Sequence, residues 1–256
     1  MKIYRFRYRR KILNGVLKQE FLFPVKGSIF RDFRIEGSPI PIGEVRLLAP
    51  VEPSKIVCVG RNYRDHAAEL KNPLPAEPLL FLKPPTAVVG PLAPIVYPAM
   101  SERVDYEGEL AVVIKKKAHG LGDEAEAGDY ILGYTCFNDV TARDLQVRDG
   151  QFTRAKSFDT FAALGPCVVT DLDPAALEVK TFLNGRLAQA GRTSNLIFPV
   201  PFLIRFISRV MTLNPGDVIA TGTPAGVGSM VPGDRVDVQI EGIGTLSNTV
   251  VKMPRP

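Results

Sequence analysis

Short apolar runs separated by turn-forming residues recur along the chain, and few of them continue at helical spacing. At the N-terminus Tyr4, Phe6 and Tyr8 alternate with Arg5, Arg7 and Arg9. This period-two pattern predicts a strand with one aromatic and one basic face. Gly15, Gly27, Gly37, Pro39, Pro41 and Gly43 divide the rest of residues 1–50 into short strands joined by turns. Residues 55–60 predict a buried strand that runs into a helical stretch at 62–70. Prolines scattered from Pro73 to Pro98 exclude long helices there and predict loops and edge strands.

Further strands are predicted at 106–114, 130–137, 165–170, 178–183 and 218–221, with a short helix at 141–148 and an apolar helix at 201–211. Asn184-Gly185 marks a tight hairpin turn. Segments 234–240 and 244–251 alternate like two paired strands. There is no internal repeat and no low-complexity linker. The sum is a strand-dominated α+β protein with few short helices, not a βαβ array.

With 256 residues the chain buries a large core without disulfides or a structural metal. The three cysteines, Cys58, Cys136 and Cys167, lie far apart in apolar segments without the spacing of a zinc or redox site. No apolar run is long enough to span a bilayer, and no apolar stretch follows the N-terminal charges as in a secretory signal. A soluble, cytoplasmic protein without a membrane partner is expected. The net charge of +5 owes part of its excess to the N-terminal strand. Arginines interleaved with aromatics are compatible with nucleic-acid binding, but no RNA- or DNA-binding motif accompanies them, so a solvated strand face is expected.

Candidate chemistry changes this picture more than composition does. Glu107 and Glu109 are two residues apart on a predicted strand, so both carboxylates share one face, and Asp105 extends the row. Like charges crowded together need a cation or a proton. On the pair alone, a solvent-facing acidic edge remains the plainer reading. Asp139 follows a buried strand and precedes the polar cluster Arg143, Asp144 and Gln146; a helix N-cap is its structural alternative. His66 and Glu69, three apart on a predicted helix, would let the carboxylate orient the imidazole. Lys156 is a single cation among apolar neighbours, suited to an enolate or carboxylate, with an ordinary surface lysine as the alternative. The loop Thr221-Gly-Thr-Pro-Ala-Gly-Val-Gly228 allows close backbone approach to a ligand, yet lacks the lysine of a phosphate loop.

Taken in order, Gly60-Arg-Asn-Tyr63, His66 with Glu69, Phe81-Leu-Lys-Pro84, Tyr106-Glu-Gly-Glu-Leu110, Asn138-Asp-Val-Thr-Ala-Arg-Asp144 with Gln146, Lys156 with Phe158-Asp-Thr160, and Thr221-Gly-Thr-Pro224 resemble the fumarylacetoacetate hydrolase family. The resemblance covers roughly residues 53 to 250. It implies a mixed β-roll or sandwich fold, with residues 51–256 as the catalytic domain and 1–50 as a small β-rich extension. It also implies a homodimer and a divalent cation, Mg²⁺ with Mn²⁺ or Ca²⁺ as alternatives, held by Glu107, Glu109 and Asp139. Lys156 matches the family's active-site lysine, and His66 with Glu69 its catalytic dyad. Arg64, Arg143, Gln146 and Thr223 match positions expected to bind substrate or hold the site.

The implied chemistry is a metal-stabilised enolate of a 2-oxo or 2-hydroxy-dienoate diacid. Isomerisation of 2-hydroxyhepta-2,4-diene-1,7-dioate, or the linked decarboxylation in aromatic catabolism, is the leading expectation. Acylpyruvate or fumarylpyruvate hydrolysis and oxaloacetate decarboxylation are its alternatives. A non-catalytic binding protein that uses the basic N-terminal strand is the alternative of another class.

Overall fold

The computed structural model describes residues 1–65 and 74–253. Its frame is a mixed sheet of 13 strands. The centre of that sheet is the antiparallel pair Gly108–Ile114 and Ile131–Asp139, flanked by Ala162–Val169 on one side and Val218–Ala220 on the other. Ile56–Gly60 pairs in parallel with Val218–Ala220, and Leu79–Lys83 closes that edge. A five-stranded sheet and a three-stranded sheet complete the β-structure.

Alternation along the central strands explains the layers. Leu110, Val112 and Ile114 face a core shared with Val179, Val238, Ile240 and Leu246 of the five-stranded sheet. Ala111 and Val113 face the opposite side, with Ile56, Cys58, Phe137 and Leu164. Both faces are covered, so the strand reads as an unbroken apolar run. The helix Val200–Val210 seals the first core through Val200, Leu203, Ile204 and Ile207, an i, i+3, i+4, i+7 stripe. The other α-helices that lie wholly within the described residues are the short Arg143–Asp149 and Thr153–Lys156. The strand-dominated expectation holds, and the Asn184-Gly185 hairpin joins Glu178–Leu183 to Arg186–Arg192 with positive φ at both turn residues.

The strands of residues 1–50 extend the large sheet directly. Lys2–Tyr8 pairs with Ala162–Val169 at Lys2–Val169 and Ile3–Val168. Its aromatic face, Tyr4 and Phe6, is buried in the main core, while Arg7 and Arg9 are exposed. The three cysteines are free and buried. No helix among the described residues is long and apolar enough to cross a membrane. Phe6 is fully buried, so Phe6→Ala is expected to cost about 3–5 kcal/mol of unfolding free energy, measured by chemical denaturation. A loss below about 1 kcal/mol would show that this strand is not part of the cooperative core.

Candidate active site

Strand pairing brings Glu107 and Asp139 together. Gly108 lies opposite Asn138 in the central antiparallel pair, and the Asp139 N–H donates to the Glu107 carbonyl at 2.9 Å. The Asn138 Oδ1 adds a second tie by accepting from the Glu107 N–H at 2.9 Å. Glu109 follows inside the strand Gly108–Ile114. One carboxylate oxygen from each of Glu107, Glu109 and Asp139 lies within 4.8 Å of the others, and all three residues are buried.

The structure differs from the expected continuous strand at 106–114. The strand is interrupted at Glu107, leaving Val104–Tyr106 in the small sheet beside Thr141–Ala142 and Gly228–Met230. Asp105 therefore leaves the acidic row. Its Oδ1 accepts from Arg103 Nε at 2.9 Å and its Oδ2 from Arg143 Nε at 2.9 Å. Nor does Asp139 cap a helix. The helix begins only at Arg143, and its N-cap position, Ala142, makes no side-chain cap bond. The Asp139 carboxylate faces cations instead, Lys83 at Oδ1 and Lys156 at Oδ2, the latter at 2.6 Å.

Lys156, the last residue of Thr153–Lys156, also reaches Glu107 Oε2 at 2.8 Å. Its ammonium lies 5.1 Å from the centre of the Phe81 ring. Burial works against its charge, but Asp139 and Glu107 outweigh burial and hold its pKa above the usual lysine range. Glu107 shows the converse: burial alone would raise its pKa, yet Lys156 and Arg143 hold it well below the usual carboxylate range. Glu109 has no such partner among the described residues. Burial first, then Asp139 and Glu107, push its pKa well above the ordinary value. The Gly222 N–H, donating to Oε2 at 2.8 Å, opposes that only in part.

These groups line a cavity of about 300 Å³. Phe81 and Phe152, in edge-to-face contact at 5.3 Å, form an aromatic wall. The helix Arg143–Asp149 presents Arg143, Gln146 and Val147 to it at i, i+3 and i+4. Arg143 bonds Asp105, Glu107 and, through Nη1 at 2.6 Å, Gln146 Oε1. Thr223 also lines the cavity, but its hydroxyl donates to the Gly108 carbonyl at 2.9 Å and accepts from Gln189 Nε2 at 2.8 Å. Arg64 is exposed and is not among the lining residues. His66 and Glu69 lie outside the described residues.

Two working residues were given no role by the sequence reading, although Lys83 stands in the motif Phe81-Leu-Lys-Pro84. Lys83 is fully buried behind Asp139, where its ammonium also donates to the Val140 carbonyl at 3.0 Å. Gln189 braces Gly108, accepting from its N–H at 3.0 Å, from a strand far along the chain. Three buried, oxygen-only donors, one of them a carboxylate without an ion-pair partner among the described residues, fit a hard divalent cation such as Mg²⁺, Mn²⁺ or Ca²⁺.

Residues 55–251 match the family model described as fumarylacetoacetate (FAA) hydrolase C-terminal, and residues 1–50 match one described as Rv2993c-like, N-terminal. The chain belongs to the fumarylacetoacetate hydrolase family. Among solved structures it is similar to 2-hydroxyhepta-2,4-diene-1,7-dioate isomerase from Mycobacterium marinum, with a TM-score of 0.93 and 45% identity over 100% of both chains. It also resembles maleylpyruvate hydrolase from Sphingobium sp. SYK-6 in complex with manganese(II) and pyruvate, with a TM-score of 0.83, 32% identity, and coverage of 99% of this chain and 100% of that one. The oxaloacetate tautomerase YisK of Bacillus subtilis is 45% identical over 225 residues, 82% of this chain and 74% of that protein. Isomerase, hydrolase and tautomerase thus share one fold.

The raised pKa of Glu109 has a consequence for pH. Burial keeps a proton on Glu109 in the fold more readily than in the unfolded chain. That advantage of the metal-free fold is complete below the ordinary carboxylate pKa and is lost as pH rises through the raised value. The stabilisation that Mn²⁺ adds over EDTA, read as a shift in Tm, is therefore expected to grow from pH 5 to pH 8. Glu109→Gln is expected to flatten the pH trend. An unchanged trend in that variant would place the proton elsewhere.

Proposed function

We propose that the protein is a divalent-metal-dependent enzyme that moves protons through the enolate of a 2-oxo or 2-hydroxy-dienoate diacid. The buried group of Glu107, Glu109 and Asp139, with Lys156 beside it at the base of a cavity, carries this reading. When held by those carboxylates, the ion supplies Lewis acidity and a template for the 2-oxo oxygen and the adjacent carboxylate. Lys156 places positive charge where the enolate develops. Arg143 fixes the Glu107 carboxylate and the Gln146 amide. Thr223 seats the loop that follows Val218–Ala220 against Gly108. His66, oriented by Glu69, takes or returns the proton at the carbon next to the 2-oxo group; Arg64 keeps a substrate-binding role on the family resemblance alone.

Isomerisation of 2-hydroxyhepta-2,4-diene-1,7-dioate, or the linked decarboxylation in aromatic catabolism, is the leading reaction, supported by the full-length likeness to the mycobacterial isomerase. Oxaloacetate tautomerisation is the second reading, favoured by the likeness to YisK, and needs only the proton transfer. Hydrolysis of acylpyruvates or fumarylpyruvate is the third, supported by the maleylpyruvate hydrolase. The same reading takes residues 51–256 as the catalytic domain, 1–50 as an extension, and the working form as a cytoplasmic homodimer; light scattering tests the dimer.

Turnover of these acids is expected with Mg²⁺ or Mn²⁺ and none with EDTA. Lys156→Met is expected to lower kcat by about 10²–10³-fold, the size of loss seen when a group that stabilises an oxyanion is removed. His66→Asn is expected to act mainly on kcat. Metal-independent turnover, or full activity in Glu109→Gln, would overturn the proposal. Salt-sensitive nucleic-acid binding with no turnover of any acid would favour the binding-protein alternative.

A further inference from the structure

Among the described residues, three cations line the cavity, and two are already committed. Lys156 is bound to Glu107 and Asp139, and Arg143 to Asp105 and Glu107. The third, Arg61, lines the cavity with an exposed side chain and makes no ion pair or hydrogen bond with the described residues.

Its backbone is unlike that of a loose surface arginine. Arg61 has φ of 57°, in the left-handed region that a residue with a Cβ enters at a cost. Such a conformation persists only where the surroundings impose it, and it clusters at ligand sites. Here the next residue imposes it. Asn62 is buried; its Nδ2 donates to the Thr221 carbonyl at 2.8 Å and the Phe198 carbonyl at 3.0 Å, and its Oδ1 accepts from the Phe198 N–H at 2.8 Å. Tyr63, after it, is fully buried. Gly222 packs so closely that a Cβ there would lie 2.8 Å from the Asn62 Cβ. That same glycine donates its N–H to Glu109. One clamp therefore fixes Arg61 relative to the acidic group.

The cavity offers a second donor. Gln146 gives its Oε1 to Arg143, which leaves its amide NH₂ available. The other walls, Val59, Phe81, Val147 and Phe152, are apolar. We infer that Arg61, together with the Gln146 amide, binds a second carboxylate at the far end of the substrate. The site then selects short 2-oxo dicarboxylates over 2-oxo acids of the same length that end in an alkyl group. This rests on the functional reading above, in which the acidic group receives the 2-oxo carboxylate end.

Isothermal titration of the Mn²⁺-loaded protein with two matched pairs tests it: oxaloacetate against 2-oxobutyrate, and 2-oxoglutarate against 2-oxovalerate. The wild type is expected to bind the diacid of at least one pair about 10–100-fold more tightly, the value of a hydrogen bond to a charged group. Arg61→Gln is expected to abolish that preference and leave the Kd of the monoacid within about twofold, while Arg61→Lys keeps part of it. If Arg61→Gln lowers Tm, Arg61→Asn, which tolerates the left-handed backbone, takes its place. A diacid preference that survives loss of Arg61, or no preference in the wild type, overturns the inference. If neither acid of either pair binds, or if both bind equally to Glu109→Gln, the functional reading itself fails.

Discussion

Three carboxylates held within 4.8 Å of one another and away from water repel strongly, and much of the surrounding structure answers that repulsion. Lys156 bridges Glu107 and Asp139, Lys83 meets Asp139 from behind, and Arg143 takes the outer oxygen of Glu107. Arg143 in turn needs Asp105, and Asp105 needs Arg103. Each added charge calls for the next until the network reaches Arg103, half in solvent. Glu109 has no ion pair among the described residues and accepts from the Gly222 N–H. Buried ion pairs add little to stability compared with apolar packing of the same volume. A network this extensive is therefore better explained by what it prepares, a seat for a cation, than by the fold it sits in.

The sheet gives that seat its rigidity. Glu107 and Asp139 face each other because two central strands pair in register, and that register is held by apolar side chains on both faces. Gly108, between the two glutamates, lies so near the second sheet that a Cβ would meet Thr181 Oγ1 at 2.1 Å. Gln189 from the same second sheet bonds both the Gly108 N–H and Thr223. The two layers of the sandwich thus converge on the short segment that carries the acids.

What was legible in the sequence follows from which interactions are local. Alternation marked the strands, and the two-residue spacing of Glu107 and Glu109 marked a shared direction, because both depend on neighbours along the chain. The break at Glu107, which turns Asp105 toward Arg103 and Arg143, depends on pairing with Gly228–Met230, more than a hundred residues away. The late start of the helix at Arg143 has a similar cause: Thr141–Ala142 is drawn into the small sheet by Val104–Tyr106. Lys83 stood in a recognisable motif, yet nothing nearby in sequence places its ammonium against Asp139. The resemblance pointed to Arg64 for substrate binding, whereas Arg61, three residues earlier, lines the cavity. Only the clamp on Asn62 distinguishes the arginine that lines the cavity.

Isomerase, hydrolase and tautomerase relatives on one fold become intelligible when the cavity is divided by how its parts are built. The acidic end is made by strand register and a closed charge network, in which no side chain changes without unbalancing another. On the proposed reading all three reactions pass through an enolate, so this end has no reason to differ among them. The rest of the lining is drawn from the helix Arg143–Asp149, the turn at Arg61 and the aromatic Phe152. Those side chains, apart from Arg143, lie outside the charge network, so each is replaceable without cost to the acidic seat. Divergence of reaction and substrate is therefore expected to concentrate there, where a substrate's far end is read and where water is admitted or kept out.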